Sequence, residues 1–185
     1  RVYRNAPARN WSFILQIMKT NIAELISKLD FDKLHFQKPF ATFVADSRFE
    51  TVVETGRGTS SLLMLEAMDR AGRGRLYSID PSPMCGYEIT HPRYELIKKK
   101  SFQSLAELYR RTGPWDLFLH DSDHWFECQT FEYNFGFSCI KKGGWIFADD
   151  RTWDYSTVWD EFVSRNKLDQ VFIAAIAGAQ KTTDE

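Results

Sequence analysis

A short β-branched run that enters two closely spaced glycines constrains this chain more than any other feature. Residues Thr51 to Thr55 are followed by Gly56 and Gly58, and an amphipathic segment opens at Thr59. Glycine lets the backbone approach a ligand closely, and the free N–H groups of a new helix can bind an anionic group. The pattern predicts a strand, a tight turn and a helix start. An ordinary strand-to-helix turn without a ligand gives the same pattern, because this glycine spacing alone is a weak signal.

The size and composition of the chain are those of one globular domain. It has 185 residues, of which 43% are hydrophobic and 15% aromatic, enough for a sizeable core. The net charge is −1 and the basic residues are scattered, which argues against a nucleic-acid partner. The longest apolar run, 171–179, is far shorter than the ~20 residues that span a bilayer, and no signal peptide is visible. We therefore expect no membrane association.

The cysteines predict a reducing compartment. There are 3 of them, Cys85, Cys128 and Cys139, without metal-ligand or redox spacing. We expect unpaired thiols and a cytoplasmic protein. The chain begins at Arg1 without a methionine, so a trimmed N-terminus or a lost leader stays open.

Strand and helix patterns alternate from the glycine turn onward. Predicted strands cover 51–55, 75–81, 94–98, 115–121 and 145–150, with one late strand at 171–177 and a turn at 141–144. Predicted helices cover about 59–70, 104–111, a stretch ending near 139, and 155–165. This order predicts an α/β fold with a parallel sheet that carries helices on both faces.

The segment 1–49 precedes the sheet and forms an N-terminal cap segment of a single domain that spans 1–185. Apolar residues at helical spacing predict a helix over 12–29, which could pair two copies of the chain. Residues 31–49 are aromatic and irregular, and Pro39 is expected to break any long element there. This stretch either covers a site or packs against the sheet.

Polar residues follow the predicted strands at one rim of the sheet. Because ligands bind outside the carboxyl ends of parallel strands, this rim is the predicted site. The polar residues at this rim are Glu54 to Ser60, Asp80, Ser101 with Phe102, Asp121 to His124, and Asp149 with Asp150.

Asp80 ends the second predicted strand, 22 residues beyond Gly58. In sheets that bind a nucleoside, an acid at this position accepts hydrogen bonds from ribose hydroxyls. A simple turn begun by Asp80 and Pro81 is the alternative.

Three carboxylates and a histidine suggest metal-assisted acid–base chemistry. Asp121, Asp149 and Asp150 would meet at neighbouring strand ends, and an all-oxygen set suits Mg²⁺. Alternatively, one acid caps a helix and the others are solvated. His124 follows Asp121 by three residues and could accept a proton from a substrate hydroxyl, although many histidines are purely structural.

The ordered motifs together resemble the class I S-adenosylmethionine-dependent methyltransferases. Over about 51–150, the motifs are Val53-Glu54-x-Gly56-x-Gly58-x-Ser60, Ile79-Asp80, Asp116-x-x-x-x-Asp121, Lys142-Gly143-Gly144 and Phe147-Ala148-Asp149-Asp150. Within that superfamily the chain is similar to the cation-dependent O-methyltransferases of the catechol, caffeoyl-CoA and macrocin type. The resemblance implies a Rossmann-like, doubly wound, mostly parallel sheet. It also implies methylation of a small-molecule hydroxyl with help from a divalent cation.

The resemblance implies a role for each motif residue. Glu54, Gly56, Gly58 and Ser60 would hold the methionine end of S-adenosylmethionine, Asp80 the ribose, and Ser101 with Phe102 the adenine. Asp121 would belong to both the cofactor site and the metal site. Asp121, Asp149 and Asp150 would ligate Mg²⁺ or a similar ion, and His124 would be the base.

The motifs also depart from the family pattern. The base is His rather than Lys, the third metal ligand is Asp rather than Asn, and the glycine turn is two residues shorter than in the catechol enzymes. An alternative register makes Asp123 the metal ligand. Asp121 is preferred because it directly ends the apolar strand.

Three other functions fit the sequence less well. One is a metal-independent methyltransferase in which the acids only orient the acceptor, and another is a cofactor-binding protein without catalysis. A nicotinamide enzyme is third, since position 61, where the dinucleotide fingerprint requires its last glycine, is serine.

Overall fold

A seven-stranded sheet organises the molecule, with the strand order β3-β2-β1-β4-β5-β7-β6. The structure is a computed structural model that describes residues 21–28, 31–82, 87–149, 157–173 and 176–183, with only the backbone given for 31–36. The strands are β1 Thr51–Thr55, β2 Arg75–Ile79, β3 Tyr94–Ile97, β4 Trp115–His120, β5 Ile140–Ala148, β6 Gln170–Ile173 and β7 Ile176–Gln180. The first five strands are mutually parallel, and β7 is antiparallel to both β5 and β6.

Six helices are described. They are α1 Ile22–Ser27, α2 Phe31–Asp46, α3 Thr59–Ala71, α4 Ser101–Thr112, α5 Phe126–Cys139 and α6 Thr157–Arg165. Gly72 ends α3 in the left-handed conformation (φ 70°), as expected for a glycine that follows a helix. The predicted strand, tight turn and helix around the glycines are therefore confirmed.

The two faces of the sheet carry separate hydrophobic cores because side chains alternate along each strand. On β4, Phe118 belongs to the core under α4, α5 and α6, whereas Leu117 and Leu119 belong to the core under α1, α2 and α3. All three side chains are fully buried. This two-sided burial is what the predicted doubly wound α/β fold requires.

The segment 31–49 differs from its prediction. Pro39 lies inside α2, which continues to Asp46, so proline does not break the element. Phe40 and Phe43 pack edge-on against Phe147 of β5 at 5.0 and 5.5 Å between ring centroids. Tertiary packing of the aromatic face therefore outweighs the local cost of proline. Of the predicted helix over 12–29, residues 21–28 are described, and Ile22–Ser27 of them form α1.

The C-terminal region also differs from its prediction. Instead of one late strand at 171–177, two strands form an antiparallel hairpin, β6 and β7. The predicted turn at 141–144 lies within β5, where the pairing with β4 shifts register and Gly143 has a φ of 80°. Short apolar runs do not reveal such a reversal of chain direction, because periodicity alone does not show where one strand ends and an antiparallel neighbour begins. Among the described residues, no helix has the length and apolar character needed to cross a membrane.

Candidate functional site

The turn after β1 is held tightly against the end of β4. Gly56 has a φ of 86°, and a Cβ placed there would lie 1.7 Å from the carbonyl oxygen of Asp121. Only glycine fits this position, because both the backbone conformation and the available space exclude a side chain. A Cβ at Gly58, by contrast, would meet no protein atom within 4 Å. The turn thus has one closely packed side and one open side that can receive a ligand.

Glu54 is a fully buried carboxylate directly before this turn. One of its oxygens accepts hydrogen bonds from Ser78 and from the hydroxyl of Ser61, the latter at 2.5 Å. Its second oxygen is buried and has no hydrogen-bond partner among the described residues. Burial raises the pKa of Glu54 to about 7, against the opposing effect of the two serine hydrogen bonds. A cationic ligand group at this oxygen would favour the ionised form.

Asp80 ties the end of β2 to the glycine turn. Its carboxylate accepts the backbone N–H of Arg57 at 3.2 Å and that of Ser82 at 2.8 Å. The predicted turn interaction is therefore present, and the same carboxylate lies at the predicted rim. A role toward a ribose stays a prediction.

Arg57, which the sequence did not single out, secures the other side of the turn. Its side chain is buried and donates a hydrogen bond to the backbone oxygen of Tyr87, whose ring lies 5.1 Å from the guanidinium. The hydroxyl of Tyr87 donates to the carbonyl of Gly58 at 2.9 Å. Tyr87 is thereby held against the glycine turn. Arg57 stands between the two glycines, but nothing local in the sequence indicates its distant partner.

Two of the predicted metal ligands follow neighbouring strands. The N–H of Asp121 donates to Thr55 at the end of β1 (2.9 Å), and the N–H of Asp149 donates to His120 at the end of β4 (3.0 Å). The hydroxyl of Ser60 donates to the carboxylate of Asp121 at 3.3 Å. The third predicted ligand, Asp150, lies outside the described residues. Within the described ranges, no group of three or more His, Cys, Asp or Glu side chains could hold an ion.

The two candidate registers differ in position. Asp121 lies against the glycine turn, whereas Asp123 is exposed and lines a neighbouring cavity. His124 is partly buried, and its ring lies edge-on to that of His120 at 5.6 Å between centroids. Gln129 donates a hydrogen bond to the backbone oxygen of His124 at 2.9 Å, which anchors the loop before α5.

A cavity of about 330 Å³ opens beside the ends of β2 and β4. Ser101 and Phe102, at the start of α4, line it together with Trp125, and their role toward an adenine stays a prediction. Phe102 and Trp125 are 63% and 71% exposed, so their rings are available to stack on a planar ligand. The remaining lining residues are Ile79, Pro81, Lys100, Ser122, Asp123, Glu127, Cys128, Phe131 and Glu132.

Glu132 on α5 is a second buried carboxylate that the sequence analysis missed. Its side chain accepts hydrogen bonds from Thr55 (2.5 Å) and Ser122 (2.9 and 3.0 Å), and it lies 2.6 Å from the imidazole of His120. Burial opposes its ionisation, but hydrogen bonds, first from His120 and then from Ser101 and Thr55, lower its pKa below the usual value. The only local sequence feature that could have indicated Glu132 is its place as an acid on a helix rich in Phe and Tyr.

A family model described as a methyltransferase domain matches residues 53–151. No curated protein matches the chain significantly. Among solved structures, the MycE methyltransferase from the mycinamycin biosynthetic pathway, in complex with Mg and SAH, is similar with a TM-score of 0.62 at 19% identity. That match covers 90% of this chain, which spans 55% of the MycE chain.

Two smaller proteins match over nearly their whole length. Cofactor-bound Rv0187 from MTB has a TM-score of 0.60 at 15% identity, with 97% of this chain and 99% of that chain covered. An O-methyltransferase from Bacillus cereus in complex with SAH has a TM-score of 0.57 at 12% identity, with 92% and 96% covered. At these identities the likeness establishes the fold, and the expected Rossmann-like class I methyltransferase fold is confirmed.

Proposed function

Since the chain belongs to the methyltransferase domain family, we propose that it is an S-adenosylmethionine-dependent methyltransferase. The glycine turn carries this proposal. Gly56 is pressed against the end of β4, while Gly58 faces open space at the rim that also bears the 330 Å³ cavity. The narrow space beside the glycine turn can hold a polar chain, and the wider, partly aromatic cavity can hold a flat ring.

The residues at the rim fit the parts of S-adenosylmethionine. The unpartnered buried oxygen of Glu54 suits the amino group at the methionine end, beside Gly56, Gly58 and Ser60. Asp80 is available to the ribose, and Ser101 with Phe102 to the adenine. When bound, S-adenosylmethionine supplies a methyl group on a positively charged sulfur.

We propose further that the acceptor is the hydroxyl of a small molecule and that a divalent cation such as Mg²⁺ assists. Asp121 and Asp149, which follow adjacent strands, would hold the ion, with Asp150 as a third ligand by sequence. Mg²⁺ needs few protein ligands, so two or three carboxylates suffice. When bound, the ion supplies a Lewis acid that makes the hydroxyl more acidic.

His124 is the proposed base. It lies three residues beyond Asp121 on the same loop and would take the hydroxyl proton on its imidazole. A rim that holds both reactants in line removes much of the entropic barrier to transfer.

Calorimetry tests the cofactor part of the proposal. S-adenosylhomocysteine should bind to the protein with one site, and NAD should not bind at the same concentrations. Binding of NAD instead would assign the glycine turn to a nicotinamide enzyme and reject the methyltransferase proposal.

Methyl transfer from labelled S-adenosylmethionine to a panel of phenolic and glycosidic hydroxyls tests the chemistry. Chelation should abolish transfer, Mg²⁺ should restore it, and Asp149→Asn should raise the Mg²⁺ concentration needed. Transfer that persists under chelation would leave a metal-independent methyltransferase, and cofactor binding without transfer to any acceptor would favour a non-catalytic binding protein.

A further inference from the structure

The carboxylate of Glu132 contacts three side chains that come from two strand ends of the rim. Thr55 directly precedes Gly56, His120 directly precedes Asp121, and Ser122 directly follows it. All three contact Glu132 at 2.5 to 3.0 Å. Cys128, one turn earlier on α5, lies 3.3 Å from the same carboxylate. Glu132 itself is 1% exposed and reaches the floor of the cavity.

An ionised carboxylate can only accept hydrogen bonds. The lowered pKa of Glu132 keeps it ionised near neutral pH, so the hydrogens of its neighbours point toward it. Thr55 and Ser122 donate their hydroxyl hydrogens, Cys128 donates its thiol hydrogen, and His120 donates an N–H from Nδ1.

The direction of these hydrogens limits the hydrogen bonds that residues at the floor of the cavity can make with a ligand. Ser122 and Cys128 line the cavity, but their hydrogens are engaged by Glu132. The hydroxyl of Ser122 therefore presents only lone pairs to a ligand. Charged Lys100, Asp123 and Glu127 also line the cavity, but they are exposed.

We propose that Glu132 is a positioning residue that sets nucleobase specificity: by holding the hydrogen of Ser122, it makes this hydroxyl an obligatory acceptor for an amino group on the base. The exocyclic amino group is the one N–H donor of the adenine base, whereas a 6-oxo purine presents a carbonyl oxygen there. Two facing acceptors leave both groups unpaired, which disfavours the oxo base. This inference rests on the proposed function, since it assigns the cavity to the cofactor's base.

Competition between two ligands tests the inference. The probes are S-adenosylhomocysteine, whose purine has a 6-amino group and an acceptor at N1, and S-inosylhomocysteine, whose purine has a 6-oxo group and an N–H at N1. In the wild-type protein the adenine ligand should bind on the order of tenfold to a hundredfold more tightly. In Glu132→Gln this ratio should fall to within about threefold, because the amide can donate a hydrogen and release the hydroxyl of Ser122. A merely structural role would weaken both ligands equally and leave the ratio unchanged.

Two serine variants complete the design. Ser122→Ala removes the proposed acceptor and should reduce the ratio in the same way, which keeps the test decisive if Glu132→Gln fails to fold. Ser138→Ala is the matched control, because its hydroxyl bonds the backbone of Phe135 on α5 and does not line this cavity. An unchanged ratio in Ser122→Ala, or equal binding of both ligands to the wild type, would overturn the inference. Failure of the wild type to bind either ligand would instead reject the proposed function.

Discussion

Glu54 links the stability of the ligand-free protein to pH. Its pKa is about 7 in the folded protein, above the ordinary value of 4.5. The protonated side chain of Glu54 therefore makes its full contribution to the free energy of unfolding below pH 4.5. This contribution is lost as the pH rises through about 7. The upper limit of the loss is roughly 3 kcal/mol, at about 1.4 kcal/mol per pKa unit.

Thermal unfolding from about pH 5 to about pH 8 measures this loss. The wild type should lose stability relative to Glu54→Gln across that range, since glutamine does not titrate. Parallel curves for the two proteins would show that Glu54 does not change its ionisation there.

The two glycines of the turn should respond differently to the same substitution. Gly56→Ala forces a Cβ into the carbonyl of Asp121 and should cost roughly 3 kcal/mol or more of unfolding free energy. Gly58→Ala meets no protein atom and should stay within about 0.5 kcal/mol of the wild type.

Binding separates the two roles further. Gly58→Ala should bind S-adenosylhomocysteine at least about tenfold more weakly, because its methyl group occupies ligand space (tenfold corresponds to about 1.4 kcal/mol). Calorimetry on the folded variant measures the affinity. Unchanged affinity would mean that the ligand does not approach the backbone at Gly58.

At the scale of elements, α2 carries a local defect that its packing tolerates. Pro39 is exposed and cannot donate a hydrogen bond within the helix, so Pro39→Ala should raise stability by about 1 to 3 kcal/mol. Chemical denaturation measures the change. Thr42→Ala, at another exposed position of α2, is the control and should gain only about 0.5 kcal/mol at most. A loss of stability in Pro39→Ala would instead mean that the proline shapes the helix for the packing of Phe40.

The elements that the sequence predicted well are those with strong local chemistry. Strand β1, its glycine turn and the start of α3 need no distant contact to be recognised, and Gly72 marks the end of α3. Helix α2 and the β6–β7 hairpin were mispredicted because their form depends on tertiary packing. The sequence analysis missed Glu132 for the same reason, because its partner Thr55 is 77 residues away along the chain.

For the molecule as a whole, ligand binding should raise the melting temperature. A ligand at 100 times its Kd adds about 2.7 kcal/mol, which corresponds to roughly 5 to 10 °C for a chain of this size. Differential scanning fluorimetry with S-adenosylhomocysteine measures the shift, and NAD serves as the control. Equal shifts with both ligands would indicate binding that is not specific to the proposed site.

The meeting of the motif residues at one rim of the sheet was predictable at this scale, whereas the hydrogen bonds of their buried partners were not. Because β1, β2 and β4 are parallel, their carboxyl ends lie on one rim of the sheet. This topology alone brings Glu54, Asp80 and Asp121 to that rim. Which hydrogens point where depends on buried partners such as Arg57 and Glu132. The sequence does not indicate these partners, because they reach the strand ends only through the tertiary fold.

Burial and the neighbouring carboxylate of Glu132 together make the thiol of Cys128 unreactive, although this residue lines an open cavity. Burial, reinforced by the neighbouring negative charge, raises the pKa of Cys128 to about 12. Alkylation by iodoacetamide near neutral pH, followed by peptide mapping, should leave Cys128 unmodified for far longer than an ordinary exposed cysteine. Replacing Glu132 by glutamine should speed its labelling. The alkylation rate of this native thiol thus reports the charge on Glu132, and no cysteine has to be engineered into the protein.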